Sequence, residues 1–498
     1  MEGNHLSPLC ACPDLNILSL ICAKQCAEGM GRLSARQPEI DSIPLKIYLF
    51  ILFLTLLPVL GLMAQAPNRP VPVDFYSYEF RQESSSTGGH YLSVLARYQT
   101  IPSTGFRNAK LTIFDPDGYL FWYAGIEARR CVDFKYFPAQ AVYSFTIATE
   151  RGVEHVLLDP DLNSRDTIRA VGRMGDIHDF LIAANGNYIL PTSIYDTLDL
   201  SAFIFDSMRG SSQTIVKGFG IQEIDPSGKL VFEWTSLDHI PPDEADDHYG
   251  FQAELFDYCH GNAIAEDLDG HLLVSMRQTN TVYKISRKSG AIIWRLGGKG
   301  CDFSFPNDAG FSGQHDIRVL GAGHYSLFDN AVLGKEGHSR AVEYVLDTVG
   351  WTATRVRSYQ HRPAFLTERM GSYRAIPGGG RILGFGLRFR PNPNIALLDT
   401  ALEVVSEFYF QDSVVSYRVR FQEIPEISRP LIRTMKTATG WELTAPDGMS
   451  EYVWSTGEGT QSIFVAEPQT VQVWVPQGIG YIGSKPVILG EAADSTGK

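Results

Sequence analysis

The chain has 498 residues, 44% of them hydrophobic and 20% charged, with 46 glycines and 27 prolines. That length and apolar share support a globular chain with a large core and room for more than one domain. A formal net charge of -13, with no clustered excess of Lys and Arg, speaks against a nucleic-acid partner, because phosphate binding needs such a cluster.

The first feature along the chain is an apolar run from Ile47 to Met63, preceded by Lys46 and followed by Ala64-Gln65-Ala66. A basic flank, an apolar stretch and a small-x-small site form a secretory signal peptide, whereas a membrane anchor needs roughly 20 apolar residues. Residues 45–66 are therefore read as a signal peptide. The mature protein is expected in the periplasm, outside the cell or at its surface, without a membrane span. Residues 1–44 do not resemble the short basic segment that opens a signal peptide and fit a start set too early. Four cysteines, Cys10, Cys12, Cys22 and Cys26, lie in that preface, leaving Cys131, Cys259 and Cys301. Export permits a Cys259–Cys301 disulfide; three buried thiols are the alternative.

Beyond the signal peptide, alternating apolar runs recur in pairs across turn residues, as in LTIFDPDGYLFWYAG (111–125), IQEIDPSGKLVFEW (221–234), VYKISRKSGAIIWRLGG (282–298) and NIALLDTALEVVSEFYF (394–410). Each is a hairpin signature. Between them lie FLIAANGNYIL (180–190), AIAEDLDGHLLVSM (263–276), IRVLGAGHYSLF (317–328) and YRAIPGGGRILGFG (373–386). A four-strand unit recurring about every 40–50 residues is the spacing of propeller blades. The expectation is an all-β fold, a six-bladed β-propeller over 67–425. After Pro425 the theme changes to short strands at sandwich spacing, so a small immunoglobulin-like β-sandwich module with its tail is expected at 426–498, suited to surface tethering.

Three inner hairpins are led by histidines, His178, His260 and His315. With Leu268 and Asp269 as central turn residues, antiparallel pairing sets His260 opposite Arg277, and Asn262 shares their face by the period of two. An imidazole, an amide and a guanidinium together suit a tetrahedral oxyanion. A turn at Ala322-Gly323 sets His315 opposite Asn330. Inner strands of a propeller surround one axis, so the three histidines are expected to converge. Asp179 and Asp316, directly after their histidines, should point the other way. Metal binding competes as a reading, but a guanidinium beside a cation is unfavourable, and neither metal nor cofactor is expected.

The stretches HGNAI (260–264), LVSMRQTNTVYKI (273–285), SGAIIWRLGG (289–298), FSGQHDIR (311–318), LFDN (327–330) and SRAVEYVLD (339–347), in this order, resemble the bacterial arylsulfotransferase family. The resemblance covers roughly 170–410. It implies an exported six-bladed propeller that moves a sulfuryl group from an aryl sulfate donor to a phenolic acceptor without a nucleotide donor. It also implies that His315 is the covalently sulfurylated residue, that His260, Asn262 and Arg277 bind the sulfuryl group, and that His178 is a further active-site histidine. The best-known members carry an N-terminal β-domain for which only about 67–88 is available here. Two other functions remain open: a non-catalytic propeller that binds a sulfated or other anionic ligand, and an aryl sulfate hydrolase.

Overall fold

The computed structural model describes residues 69–85, 88–99, 105–205, 208–246, 255–333, 337–411 and 413–490, all within the compact unit that spans Ala64–Lys498. The preface, the signal peptide, their cysteines, His248 and the last eight residues lie outside the described residues. The described chain is all-β. Its helical content is two single turns, Ser236–Asp238 and Pro242–Glu244, and no helix is long and apolar enough to cross a membrane.

Six antiparallel meander sheets follow one another along the chain. The second runs Arg130–Phe137, Val142–Thr149, Gly152–Leu158 and Ser164–Ile168, and the third runs Leu181–Ile182, Tyr188–Leu198, Thr214–Ile224 and Leu230–Thr235. The fourth comprises Gly261–Glu266, Leu272–Met276, Thr281–Ile285 and Ile292–Gly297, and the fifth His315–Gly321, His324–Asp329, Arg340–Asp347 and Thr352–Tyr359. The sixth comprises Ser372–Ala375, Arg381–Gly384, Ile395–Leu398 and Val404–Phe410. Each hairpin anticipated from the turn residues is present with its expected inner or outer place in a sheet.

The first sheet is assembled from both ends of the chain. Val414–Gln422 supplies its inner edge and pairs with His90–Gln99, which continues into Gly105–Phe114 and Leu120–Ile126. In return, Tyr78–Gln82 adds to the outer edge of the sixth sheet, with Tyr78 opposite Phe410. This exchange is sealed by rings. Phe408, fully buried, lies 4.7 Å from Phe80 and 5.0 Å from both Tyr91 and Phe114 between ring centroids. Contacts at such separations add to the burial of large apolar areas.

Inner strands of the six sheets meet on a buried ion network. Lys135 binds Asp133 and lies 3.3 Å from Asp179. Arg318 bridges Asp179 at 3.0 Å and Asp316 at 2.7 Å, and Arg374 also binds Asp316. Arg418 reaches Asp133, Asp179 and Asp316 at 3.3 to 3.4 Å, and Arg420 reaches Asp133 at 3.3 Å. The fourth sheet joins through its backbone: Ile264 donates its N–H to Asp179 and accepts from Arg318, and Asn262 accepts from Arg418. Every inner strand is thus tied to charges carried by others.

The C-terminal segment has its own core around Leu443, Trp454, Ile463, Val465 and Val473. One layer is Arg433–Lys436, Trp441–Thr444 and Ser462–Val465. The other, Val453–Trp454, Val473–Gln477 and Gly480–Gly483, is continuous with the first sheet, because Ile482 pairs with Trp122. The segment is therefore fused to the body through a shared sheet. Cys131, Cys259 and Cys301 are all free thiols, and burial pushes that of Cys259 up to about 12.

Burial alone would raise the Asp179 carboxyl, but Arg418, Arg318 and Lys135 outweigh it and hold it well below the usual range. A depressed carboxylate contributes stability that is present above the unfolded value near 3.9 and is lost as pH falls below it. Asp179→Ala leaves buried cations without their acceptor and is expected to cost about 3–5 kcal/mol in urea unfolding at pH 7. The difference from the parent should shrink as the pH is lowered from about 5 toward 2.

Candidate active site

Two aspartates that precede histidines build one wall. In Asp176-Ile177-His178, Asp176 Oδ1 accepts the backbone N–H of His178 at 3.0 Å and also the ring Nδ1–H. Asp176 Oδ2 accepts from Ser193 Oγ at 3.1 Å and lies 3.8 Å from Lys217 Nζ. In Asp257-Tyr258-Cys259-His260, Asp257 accepts the His260 backbone N–H at 3.1 Å and the ring Nδ1–H at 2.9 Å. Lys217 lies 3.2 Å from Asp257, placed there by the parallel pairing of Phe256–Asp257 with Thr214–Ile224. Two carboxylate–imidazole pairs thus share one ammonium. Their rings meet edge to face, with centroids 4.9 Å apart. His260 takes a left-handed backbone, φ 46°, a costly conformation for a residue with a side chain and one that clusters at functional sites.

The third histidine is held differently. His315 is 3% exposed, and its Nδ1 lies 2.7 Å from Asn330 Oδ1 and 3.0 Å from the Gly313 carbonyl. The Asn330 amide is oriented by its two donations, to the carbonyls of Thr367 at 2.7 Å and Met370 at 2.9 Å, so Oδ1 must face the ring. Both neighbours of Nδ1 are then acceptors, which places the proton on Nδ1 and the lone pair on Nε2. Nε2 accepts only a long bond, 3.2 Å, from the Met370 N–H.

Electrostatics keep this ring neutral. Burial, the Arg277 guanidinium and the other two histidines lower the His315 value well below 6.5, against the opposing hydrogen bond that its Nδ1–H donates to Asn330. His260 is lowered too, by burial first, with Asp257 opposing and His178 and Lys217 assisting. Asp257 and Asp176 stay ionised: burial raises them, but the neighbouring histidines and Lys217 prevail. Lys217 is held charged by the same two carboxylates despite its burial.

His178, His260, His315 and Arg277 line a single cavity of about 1050 Å³ together with Asp176 and Lys217. The expected register holds at its base, where the Arg277 N–H donates to the His260 carbonyl at 3.1 Å and Gly261 pairs with Met276. The Arg277 Nη2 donates to the Glu368 carbonyl at 3.1 Å. Asn262 and Asn330 lie behind this wall, both fully buried. A bulge between Gly261 and Ala263 turns Asn262 toward the carbonyl of Gln314, the residue before His315, at 2.7 Å. Asp179 and Asp316 point away from the cavity into the ion network, as expected, although Asp179 precedes its strand and Asp316 takes a left-handed backbone, φ 62°, so regular alternation is not the cause. The sequence reading does not include Asp176, Asp257 and Lys217; an aspartate two residues before His178 and three before His260 is the available signal, since that spacing lets the carboxylate cap both backbone and ring. Among the described residues no group of His, Cys, Asp and Glu could hold a metal ion.

The structure thus defines an all-β chain with a histidine-lined, cation-rich cavity beside a buried ion network. Residues 154–391 match the arylsulfotransferase (ASST) family model. No curated protein matches the chain. Among solved structures, the chain is similar to a protein of unknown function from Bacteroides caccae, with 13% identity over 68% of this chain and 100% of that one, at a TM-score of 0.42. It is also similar to TolB from Acinetobacter baumannii, with 10% identity over 68% of each chain and a TM-score of 0.40. A third likeness is to a virginiamycin B lyase from Staphylococcus aureus, at 12% identity over 82% of this chain and 98% of that one, with a TM-score of 0.34. No function follows from likenesses at this level.

A buried neutral histidine contributes a destabilisation that grows as pH falls below the unfolded value near 6.5, because only the unfolded ring takes up a proton freely. Nitrogen NMR of the histidine rings is expected to find His315 as the Nδ1–H tautomer and unprotonated from pH 8 down to about 5. An imidazolium signal for His315 near pH 6.5 would contradict this geometry.

Proposed function

We propose that the protein is an exported arylsulfate sulfotransferase, a six-bladed β-propeller that works through a sulfo-histidine on His315. The observation that carries the reading is the His315 ring, with Nδ1–H bound to Asn330 and Gly313 and the Nε2 lone pair in the cavity beside Arg277, His178 and His260. A nucleophile needs an available electron pair, and a neutral imidazole of fixed tautomer provides one.

In the first half-reaction Nε2 attacks sulfur in line, the N–S bond forms, and the S–O bond breaks with its pair leaving on the phenolate. Charge develops on the leaving oxygen and on the sulfuryl oxygens, where Arg277 and Lys217 supply fixed positive charge, as cationic clamps do in phosphoryl transfer. Solvent supplies the proton to the departed phenolate. In the second half-reaction the acceptor phenol gives its proton to Nε2 of His178, and its oxygen attacks sulfur. The N–S pair then returns to His315. Asp176 stabilises the imidazolium so formed, which returns its proton to solvent. His260, held by Asp257, is assigned to the sulfuryl oxygens. Asn262 and Asn330 are assigned as positioning residues for His315, and no step needs a metal or cofactor.

The six meander sheets are read as blades, closed by the strand Val414–Gln422, and the C-terminal segment as a module that buttresses the first blade and leaves its free faces for surface attachment. Export through a signal peptide ending near Ala66 is tested by the N-terminus of the secreted protein.

The defining assay is release of the chromophore from 4-nitrophenyl sulfate with and without added phenol. Acceptor-dependent release is expected. Release that is indifferent to phenol would mark a hydrolase, and none at all a binding protein. His315→Ala is expected to lower kcat by at least about 10³-fold, the scale on which removing a nucleophile acts. Asn330→Ala should lower kcat more than it raises KM, and should leave the His315 ring neutral while releasing its fixed Nδ1–H tautomer.

A further inference from the structure

Four arginines at the mouth of the cavity have no place in the sulfuryl chemistry. Arg107 lies on the second strand of the first sheet, Arg129 and Arg130 at the entry to the second, and Arg369 on the segment leading into the sixth. All four are exposed, line the cavity, and among the described residues make no ion pair or side-chain hydrogen bond. With Lys217 and Arg277 they set six cations against two lining carboxylates, Asp176 and Glu368, and Asp257 beside Lys217, in a chain whose net charge is -13. Asp176 is already engaged by His178, Ser193 and Lys217. A local field of this sign inside an acidic protein selects anions.

Their placement sharpens the point. The reacting histidines enter from the third, fourth and fifth sheets, and the arginines from the sixth, first and second. On the ring of six blades proposed above, these are opposite halves of the mouth. Between them the walls offer Val132, Ile177, Met370 and Tyr417 to an aromatic ring. The volume, about 1050 Å³, is at the top of the range of about 300–1,000 Å³ typical of pockets for drug-sized ligands, and so exceeds the needs of one phenol.

We infer that this arginine arc is a second anion site, which selects phenolic acceptors carrying a carboxylate or other anionic group remote from the reacting hydroxyl. The inference rests on the transfer reading for its catalytic arm and stands apart from it for its binding arm. The test compares 4-hydroxybenzoate with its methyl ester, a neutral near-isostere, on the parent protein and on the double variant R129Q/R130Q. In turnover with 4-nitrophenyl sulfate, kcat/KM for the acid is expected to exceed that for the ester by about tenfold, as a charge-assisted contact provides, and the double variant should erase that ratio. Calorimetric binding of the two compounds at low and high salt reads the same preference without turnover, and the acid's affinity alone should fall as salt rises. Equal binding of acid and ester by the parent, or a preference retained by R129Q/R130Q, overturns the inference. Absence of turnover with every acceptor, with the binding preference intact, would instead sink the transfer reading and leave the anion site standing.

Discussion

The constraint on which the rest depends is the buried ion network between the inner strands of the six sheets. Asp133, Asp179 and Asp316 accept from Lys135, Arg318, Arg374, Arg418 and Arg420, and the remaining contacts run to backbone groups of the fourth and sixth sheets. Burying these charges is costly unless each finds its partner, so the network tolerates one mutual placement of the inner strands and penalises others. Two of its carboxylates are the residues immediately after His178 and His315. Asp179 lies just before the strand Leu181–Ile182, and Asp316 takes a left-handed backbone, φ 62°, at the bulge after His315; with both carboxylates held in the network, His178 and His315 line the cavity. The same interaction that locates the strands thereby constrains the chain next to both histidines.

Charge also links the layers. The network holds three carboxylates against five cations, and Arg374 is held well below its ordinary value by burial and by the other arginines. The neutral state of His315 is set by burial and by surrounding cations together. Its tautomer is set separately, by the Asn330 amide, whose own orientation is fixed by the carbonyls of Thr367 and Met370.

Much of this was legible in the sequence. Turn residues flanked by period-two runs located the hairpins at 180–190, 263–276, 317–328 and 373–386, because local turn chemistry determines them. Counting outward from Asp269 placed Arg277 against His260. The same count misplaced the Asn262 side chain, since the bulge after Gly261 shifts the period by one, and nothing local in HGNAI announces it. Closure of the first sheet by Val414–Gln422 was equally hidden, as its partner lies more than 300 residues away and pairing at that distance leaves no periodic trace. The carboxylates of Asp176 and Asp257 are legible only in the residues two and three positions before their histidines, a spacing that lets each cap the histidine backbone and ring. Lys217 joins them only through a parallel contact of Thr214–Ile224 with Phe256–Asp257 that spacing cannot reveal.

The account turns on one covalent bond, between Nε2 of His315 and sulfur. The most direct measurement is mass spectrometry of the protein quenched at neutral to alkaline pH after exposure to 4-nitrophenyl sulfate without acceptor. A mass gain of one SO₃ unit on the peptide containing His315, discharged by added phenol, is the predicted result. The sulfuryl group on another residue, or acceptor-dependent turnover by His315→Ala at the parent's rate, would contradict it.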